Sequence, residues 1–228
     1  MSIGKYVHPT TYPSLADDEI SVINKIHDFT EKYFQDARFD ASHDFDHVKR
    51  VVNNALVILE KEEERRKLRA MPALNPLFVI LGALLHDVED KKYVTADYKE
   101  SPLAKAVLDT GMSTEYAEQL RLLVEGVSYS SEIKDPQHVT DLIEVIPELA
   151  VVQDADRLDA IGAIGIGRCF TFGGAKGARS LADSIQHFED KLLRLESMIK
   201  TEAGKTMAEE RSNRIREFMG WWQDEIGQ

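Results

Sequence analysis

The sequence predicts an all-α fold, because apolar side chains recur at intervals of three and four residues along most of its 228 positions. No stretch of four to eight residues alternates between apolar and polar side chains in the manner of a half-buried strand. Prolines and polar breaks separate the periodic segments, as expected between helices. The length is compatible with a single domain over residues 1–228 that buries one core, without repeats or low-complexity linkers.

The helical pattern follows an N-terminal arm of about 14 residues that carries two prolines. Asp17 or Asp18 is expected to cap the first helix. The segment 77–85 (LFVILGALL) is apolar almost throughout, which predicts a position at the centre of a helical bundle. Helices are predicted at 17–34, 47–69, 77–88, 102–110, 114–127, 149–169, 181–201 and 207–222.

Composition limits the classes of partner. With 40 acidic and 28 basic residues, the net charge of -12 opposes binding to nucleic-acid polymers and to anionic membranes. A small phosphorylated ligand remains compatible with this charge if a metal ion and a few basic residues make its pocket locally positive.

Three further features predict a cytoplasmic protein, with the nucleus also open. The N-terminus lacks the apolar stretch of a signal peptide, and the longest apolar run, 77–85, is too short to span a bilayer. The single cysteine, Cys169, excludes an intramolecular disulfide and is expected to be a buried structural thiol.

Histidine and aspartate side chains enter three of the apolar helical segments. His86 and Asp87 end the run LFVILGALL, where an ionisable pair must be hydrogen-bonded, paired or bound to metal; a capping Asp beside a core His is the plain alternative. His47 opens the segment HVKRVVNNA beside its apolar stripe. Asp154, Asp156 and Asp159 crowd into VVQDADRLDAIGAIG, where carboxylates repel unless a cation separates them or they point apart.

A His, a His-Asp pair and a later Asp could assemble a mixed nitrogen and oxygen site for a divalent ion. Mn²⁺ is the first expectation, and Mg, Co, Fe, Zn and Ni are alternatives. His138 is the only histidine between the His-Asp pair and the last Asp, which favours one ion over two.

The motifs HVKRV, LLHDVED and ADRLD resemble the HD superfamily of metal-dependent phosphohydrolases, whose pattern is a His, a His-Asp pair and a distant Asp. The stretch DADRLDAIGAIGIGR is similar to a signature of small bacterial HD nucleotide pyrophosphohydrolases. The resemblance covers about 40–174 and implies a single helical HD domain, on which the C-terminal helices 181–222 would pack. Where these relatives read HSFS, this chain reads VSYS, so that Val127 replaces a histidine.

The resemblance implies a set of metal ligands: His47, His86, Asp87 and Asp156, with Asp154 as the second choice for the last position. For proton transfer, Asp90 is the first candidate and Glu89 the second, with a salt bridge from Asp90 to a lysine as the alternative. Asp159, one turn after Asp156, is either catalytic or orients a ligand. Basic residues near the motifs are candidates for binding substrate phosphate or for plain ion pairs: Arg50, Lys91, Lys92, Arg157 and Arg168.

The function implied by the resemblance is divalent-metal-dependent hydrolysis of a nucleotide, first of all as a nucleoside triphosphate pyrophosphohydrolase. A nucleoside monophosphatase or phosphodiesterase is the nearest alternative, and a non-catalytic nucleotide-binding regulator is an alternative of another class. An HD oxygenase would need a two-iron site with additional histidines, which this chain lacks. The terminal helices carry Trp221 and Trp222 and are compatible with core closure or a homodimer.

Overall fold

The all-α prediction is confirmed by the computed structural model, which describes residues 6–36, 44–89, 101–175 and 180–227. Within these ranges the chain forms helices and no strand. The α-helices are α1 (Asp17–Tyr33), α2 (Phe45–Leu68), α3 (Pro76–Leu85), α4 (Pro102–Asp109), α5 (Thr114–Val127), α6 (Tyr129–Lys134), α7 (Pro136–Val145), α8 (Glu148–Asp159), α9 (Gly162–Ala175), α10 (Leu181–Asp190) and α11 (Glu202–Ile226). Two short 3₁₀ helices, Pro9–Thr11 and Leu192–Met198, lie before α1 and before α11.

Helix α3 is the centre of the bundle, as its composition predicts. Asn75 caps its N-terminus by accepting a hydrogen bond from the Phe78 amide (3.1 Å), and Pro76 fits the first helical position. Every side chain from 77 to 85 is buried, and α1, α2, α5 and α8 pack around it. At Gly82 an added Cβ would lie 2.7 Å from Leu123 Cδ2, so glycine permits the close approach of α5.

Helices α2 and α8 form the most extensive helix pair and position the candidate site. The apolar stripe of α2, which includes Val48, Val52 and Ala55, is buried against α8 and α3. Asn54 of α2 donates a hydrogen bond to the Ala155 carbonyl of α8 (3.0 Å), which fixes the two helices relative to each other. His47 and Asp156 therefore stand on neighbouring elements.

The predicted helix 149–169 is wrong as a single element. The chain divides it after Asp159, and α9 begins at Gly162 with φ +71°, a left-handed conformation that favours glycine. An added Cβ at Gly165 would lie 2.2 Å from the Ala160 carbonyl oxygen, so the break and the glycine depend on each other. The glycines thus mark a turn between two helices.

Other boundaries also differ from the prediction. The segment 181–201 forms α10 and a 3₁₀ helix, and the short helices α6 and α7, capped by Ser128 and Asp135, were not predicted. Neither Asp17 nor Asp18 is the cap of α1: Ala16 precedes the helix, and its amide donates to the Glu19 carboxylate (2.9 Å). The short helices and the start of α1 lack the long apolar period that identifies the central helices.

The C-terminal helix closes one side of the core. Phe218 and Trp222 of α11 form an aromatic cluster with Phe170 and Phe188, whereas Trp221 is exposed. Cys169 is buried beside this cluster, as predicted. In the part of the chain that the structure describes, no helix has the length and apolarity needed to cross a membrane.

Candidate metal centre

Four potential ligand atoms converge between α2, α3 and α8. His47 lies in the first turn of α2, His86 and Asp87 follow directly on α3, and Asp156 is on α8. His47 Nε2 lies 3.1 Å from His86 Nε2, 3.3 Å from an Asp87 carboxylate oxygen and 3.5 Å from an Asp156 carboxylate oxygen. From His86 Nε2, the same two oxygens are 3.5 and 3.9 Å away. These distances suit donor atoms around one common ion.

The ring nitrogens on the other side of each imidazole define which nitrogen carries the proton. His86 Nδ1 lies 2.8 Å from the Ala83 carbonyl oxygen, which only accepts, so Nδ1 donates and Nε2 has a free lone pair. His47 Nδ1 similarly donates to an Asp159 carboxylate oxygen at 2.7 Å. Two nitrogen lone pairs and two carboxylates then face one another. A divalent cation is the group that fits this arrangement of acceptors.

The carboxylates favour positive charge at His47. Burial lowers the pKa of His47, but the carboxylates of Asp156, Asp159 and Asp87 outweigh it and raise the pKa to about 10. Burial also raises the pKa of Asp156, yet the neighbouring His47 and His86 hold it below its usual value. A proton or a metal ion is therefore stabilised at the same place.

Asp159 fixes the orientation of His47. Its carboxylate accepts the His47 Nδ1 proton, two hydrogen bonds from Arg50 (2.7 and 3.1 Å) and one from Arg168 (2.8 Å). Burial opposes its ionisation, but His47 and the guanidinium groups hold the pKa of Asp159 well below its usual range. A carboxylate that accepts from the distal nitrogen of a metal-binding histidine commonly fixes both ring orientation and tautomer. Arg50, a candidate for binding phosphate or for an ion pair, thus forms an ion pair with Asp159.

The cluster opens on its carboxylate side. The side chains of His47 and His86 are 2% and 1% exposed, whereas those of Asp87 and Asp156 are 16% and 28% exposed. Water and a ligand would therefore reach a bound ion past the aspartates, while the histidines form its buried floor.

The other predicted site residues have different surroundings. Glu89, with φ +73°, accepts hydrogen bonds from the Ser101 hydroxyl (2.6 Å) and the Leu103 amide (2.9 Å) at the start of α4. Arg157 is buried and donates to the Val127 carbonyl (3.0 Å) and to Glu132 (2.6 Å). The hydrogen bonds of Glu89 and Arg157 therefore join neighbouring helices and do not involve the four candidate ligand atoms. Asp90, Lys91 and Lys92 lie outside the described residues.

Asp154, the second choice for the last ligand, is engaged elsewhere. Its buried carboxylate accepts hydrogen bonds from the Lys200 amide (2.9 Å), the Thr201 amide (2.7 Å) and the Thr201 hydroxyl (2.7 Å). Of the two alternatives, Asp156 is the one whose oxygen lies among the histidine nitrogens.

One contributor to the site was not among the predicted residues. The Ala83 carbonyl, three residues before His86, could have been inferred from helical geometry. Arg168 was a candidate for binding phosphate, and it reaches Asp159 across the turn between α8 and α9. The prediction of one continuous helix gave no signal for that contact.

Comparison with known proteins supplies relatives of similar length. No family model matches the chain. The chain is 35% identical to YpgQ of Bacillus subtilis over 184 residues, which cover 78% of this chain and 82% of that protein. The crystal structure of YpgQ in complex with ADP matches with a TM-score of 0.69 and 29% identity, over 91% of this chain and 96% of the other. An HD-superfamily hydrolase from Bacillus thuringiensis matches with a TM-score of 0.59 and 29% identity, over 92% and 98%.

Proposed function

Because the chain belongs to the HD superfamily of metal-dependent phosphohydrolases, we propose that it is a nucleoside triphosphate pyrophosphohydrolase that uses Mn²⁺. Its reaction would be attack of water on the α-phosphorus, which releases a nucleoside monophosphate and pyrophosphate. The observation that carries the hydrolase assignment is that His47, His86 and Asp156 place three ligand atoms within 4.8 Å of one another. An Asp87 oxygen lies 3.3 Å from His47 Nε2 and 3.5 Å from His86 Nε2.

A nucleotide is the favoured substrate class because of one relative. YpgQ, which matches this chain over most of both lengths, has been crystallised with ADP. The phosphate groups of a nucleotide carry charge that a divalent ion can compensate, even in a protein with a net charge of -12. The two observations together support a small phosphorylated substrate at the open side of the cluster.

His47, His86, Asp87 and Asp156 would hold the ion. When bound, a divalent ion activates water near neutral pH and polarises a phosphoryl oxygen. Asp159 accepts the Nδ1 proton of His47 and so keeps the Nε2 lone pair directed at the ion. Arg50 and Arg168 keep Asp159 ionised for that purpose.

Asp90 remains our proposal for the group that takes the proton of the attacking water, as a carboxylate three residues after Asp87. Lys91 and Lys92, which follow it, remain the proposed contacts to substrate phosphate. Glu89 is a weaker candidate for proton transfer, because its Oε1 oxygen already accepts two hydrogen bonds at the start of α4. Arg157 is a weaker candidate for contact with phosphate, because it already donates to the Val127 carbonyl and to Glu132.

Release of orthophosphate and pyrophosphate from a nucleotide panel tests the proposal, with Mn²⁺, Mg²⁺, Co²⁺ or Zn²⁺ supplied in turn. We expect metal-dependent release of pyrophosphate that falls by about a thousandfold or more in Asp87→Ala, since a ligand of the reacting ion is removed. Asp109→Ala is the matched control, because that exposed carboxylate pairs only with Lys105 among the described contacts and should leave turnover unchanged.

The product separates the proposal from its nearest alternative. Metal-dependent orthophosphate from nucleoside monophosphates, without pyrophosphate from triphosphates, would replace it with a monophosphatase. Nucleotide binding without release of either product at any metal would favour a regulatory protein over an enzyme.

A further inference from the structure

A cleft of about 240 Å³ lies between α2, α9 and α11. Three arginines, two asparagines and one aspartate supply its polar lining, and aliphatic side chains at the start of α9 form the rest. The lining includes Arg50, Asn53, Asp159, Ile164, Arg211 and Arg214. Its chemistry is strongly cationic, in a protein whose net charge is -12.

The positive charge of the cleft is incompletely compensated. Arg50 is paired with Asp159, which is the one carboxylate among the described residues that line the cleft. Arg211 instead donates to two neutral acceptors, the Leu158 carbonyl (2.6 Å) and the Asn54 side-chain oxygen (2.8 Å). Burial and the neighbouring Arg214 lower the pKa of Arg211, while Asp159 and Glu210 act in the opposite direction.

Arg214 is more loosely held. It lies one helical turn after Arg211, its side chain is 56% exposed, and its guanidinium is 3.7 Å from the Glu210 carboxylate. Such an exposed pair at the edge of ion-pair distance contributes little and leaves the guanidinium able to bind another anion.

The cleft is separate from the metal ligands. His47 presents Nε2 to His86, Asp87 and Asp156, and it presents Nδ1, on another edge of its ring, to Asp159. Asp159 and the cleft therefore lie behind His47 as seen from the ligand atoms. An anion there would not occupy the open carboxylate side of the cluster.

We propose that this cleft is a second anion site that binds a phosphate group, with Arg211 and Arg214 as its cationic donors and the Asn53 side chain at its edge. Guanidinium groups match phosphate oxygens in geometry and charge. The volume of about 240 Å³ far exceeds the roughly 10–15 Å³ that one water needs, so the cleft has room for orthophosphate or pyrophosphate. It is below the roughly 300–1,000 Å³ of pockets that enclose larger ligands. The proposal stands independently of the nucleotide substrate.

The test is calorimetric titration of the 228-residue protein with orthophosphate, pyrophosphate and ADP. We expect a binding component that persists in Asp87→Ala, where binding through the metal centre is removed. The same component should weaken at least about tenfold in Arg214→Gln, the loss expected for one charge-assisted hydrogen bond. Arg216→Gln is the matched control, because it removes the same charge from α11 but from a pair with Glu196 (2.7 Å) outside the cleft.

A second pair of variants tests the site without removing an arginine. Ile164→Glu places a carboxylate at the cleft, while Ile226→Glu adds one at a side chain of nearly equal exposure, 46% against 47%. We expect only the first to weaken phosphate binding. If ADP binds to Asp87→Ala and Arg214→Gln weakens that binding, the phosphate belongs to a nucleotide. If only orthophosphate or pyrophosphate binds in this way, the ligand is a free anion.

The proposal is overturned if no component survives Asp87→Ala, since all phosphate would then bind at the metal centre. Equal weakening by Arg214→Gln and Arg216→Gln would also overturn it, because general charge rather than the cleft would be responsible. Neither outcome bears on nucleotide hydrolysis, which is measured separately through pyrophosphate release.

Discussion

Asp154 and Asp156 stand two residues apart on α8, and their carboxylates have opposite surroundings. Asp154 is enclosed by donors: two backbone amides and one hydroxyl at the start of α11. Asp156 faces the Nε2 atoms of His47 and His86, at 3.5 and 3.9 Å. The first environment is complete with protein groups alone. The second is complete only when a cation joins it.

The difference teaches how a structural carboxylate is distinguished from a proposed metal ligand. Burial raises the pKa of Asp154 to about 6, while the hydrogen bonds from Lys200 and Thr201 act to lower it. Its contacts connect α8 to α11, and an added Cβ on Gly204 would lie only 2.7 Å from its carboxylate. The Asp154 region thus supports packing, and the Asp156 region supports ion binding.

The largest expected effect is on metal binding in Asp156→Ala. We expect the affinity for a divalent ion to fall by at least about a thousandfold, more than the 10–100-fold typical of residues that only orient ligands. The unfolding free energy of the metal-free protein should fall by less than in Asp154→Ala, because Asp156 is one of three carboxylates that stabilise protonated His47, and Asp159 and Asp87 remain. Chelator competition and urea unfolding in EDTA measure the two quantities. The distinction is invalid if Asp156→Ala strongly lowers the unfolding free energy but leaves the metal affinity of the folded protein unchanged.

Asp154→Ala should show the converse behaviour. The substitution leaves two buried amides and a hydroxyl without their acceptor, so we expect a loss of about 3 kcal/mol in the free energy of unfolding. Metal affinity per folded molecule should be retained. Urea denaturation beside the exposed-site control Asp224→Ala measures the loss. A change below about 0.5 kcal/mol would argue against an anchoring role for Asp154.

Asp159→Asn sharpens the comparison, because Asp159 accepts several hydrogen bonds like Asp154 but contacts His47, a proposed metal ligand. An amide cannot accept all the donors of His47, Arg50 and Arg168, so we expect metal affinity to fall about 10–100-fold. Asp109→Asn, at an exposed ion pair with Lys105, is the control for loss of a carboxylate charge. Equal metal affinity in both variants would contradict the orienting role.

The stability of the metal-free protein and its affinity for metal are expected to change in opposite directions with pH. The pKa of His47 is raised to about 10, so in the metal-free protein its stabilising contribution is fully present below about pH 6.5 and is lost as pH rises towards 10. Metal must displace the same proton, so affinity should rise with pH by up to about tenfold per unit below pH 10. Chelator competition from pH 6 to 9 measures this slope, and a flat profile would contradict proton competition at His47.

Much of the fold could be predicted from periodicity. The continuous apolar run of α3 identifies the central helix, and Asn75 with Pro76 marks its start. The division between α8 and α9 could not be predicted, because Ile161 and Ile164 continue the apolar spacing across it. Helices α6 and α7 were missed because they are short and bury little: the buried side chain of α7 is Val139.

For the candidate site, the sequence by itself determined the ligand types and the helices that carry them. It also determined that Asp154 and Asp156 point in nearly opposite directions, since successive residues of an α-helix are about 100° apart. Only the tertiary structure decided which of these directions faces His47 and His86 and which faces Thr201. The physical reason is that helical periodicity fixes the angle between two side chains on one helix, whereas the packing of α2, α3 and α11 against α8 decides what each of them meets.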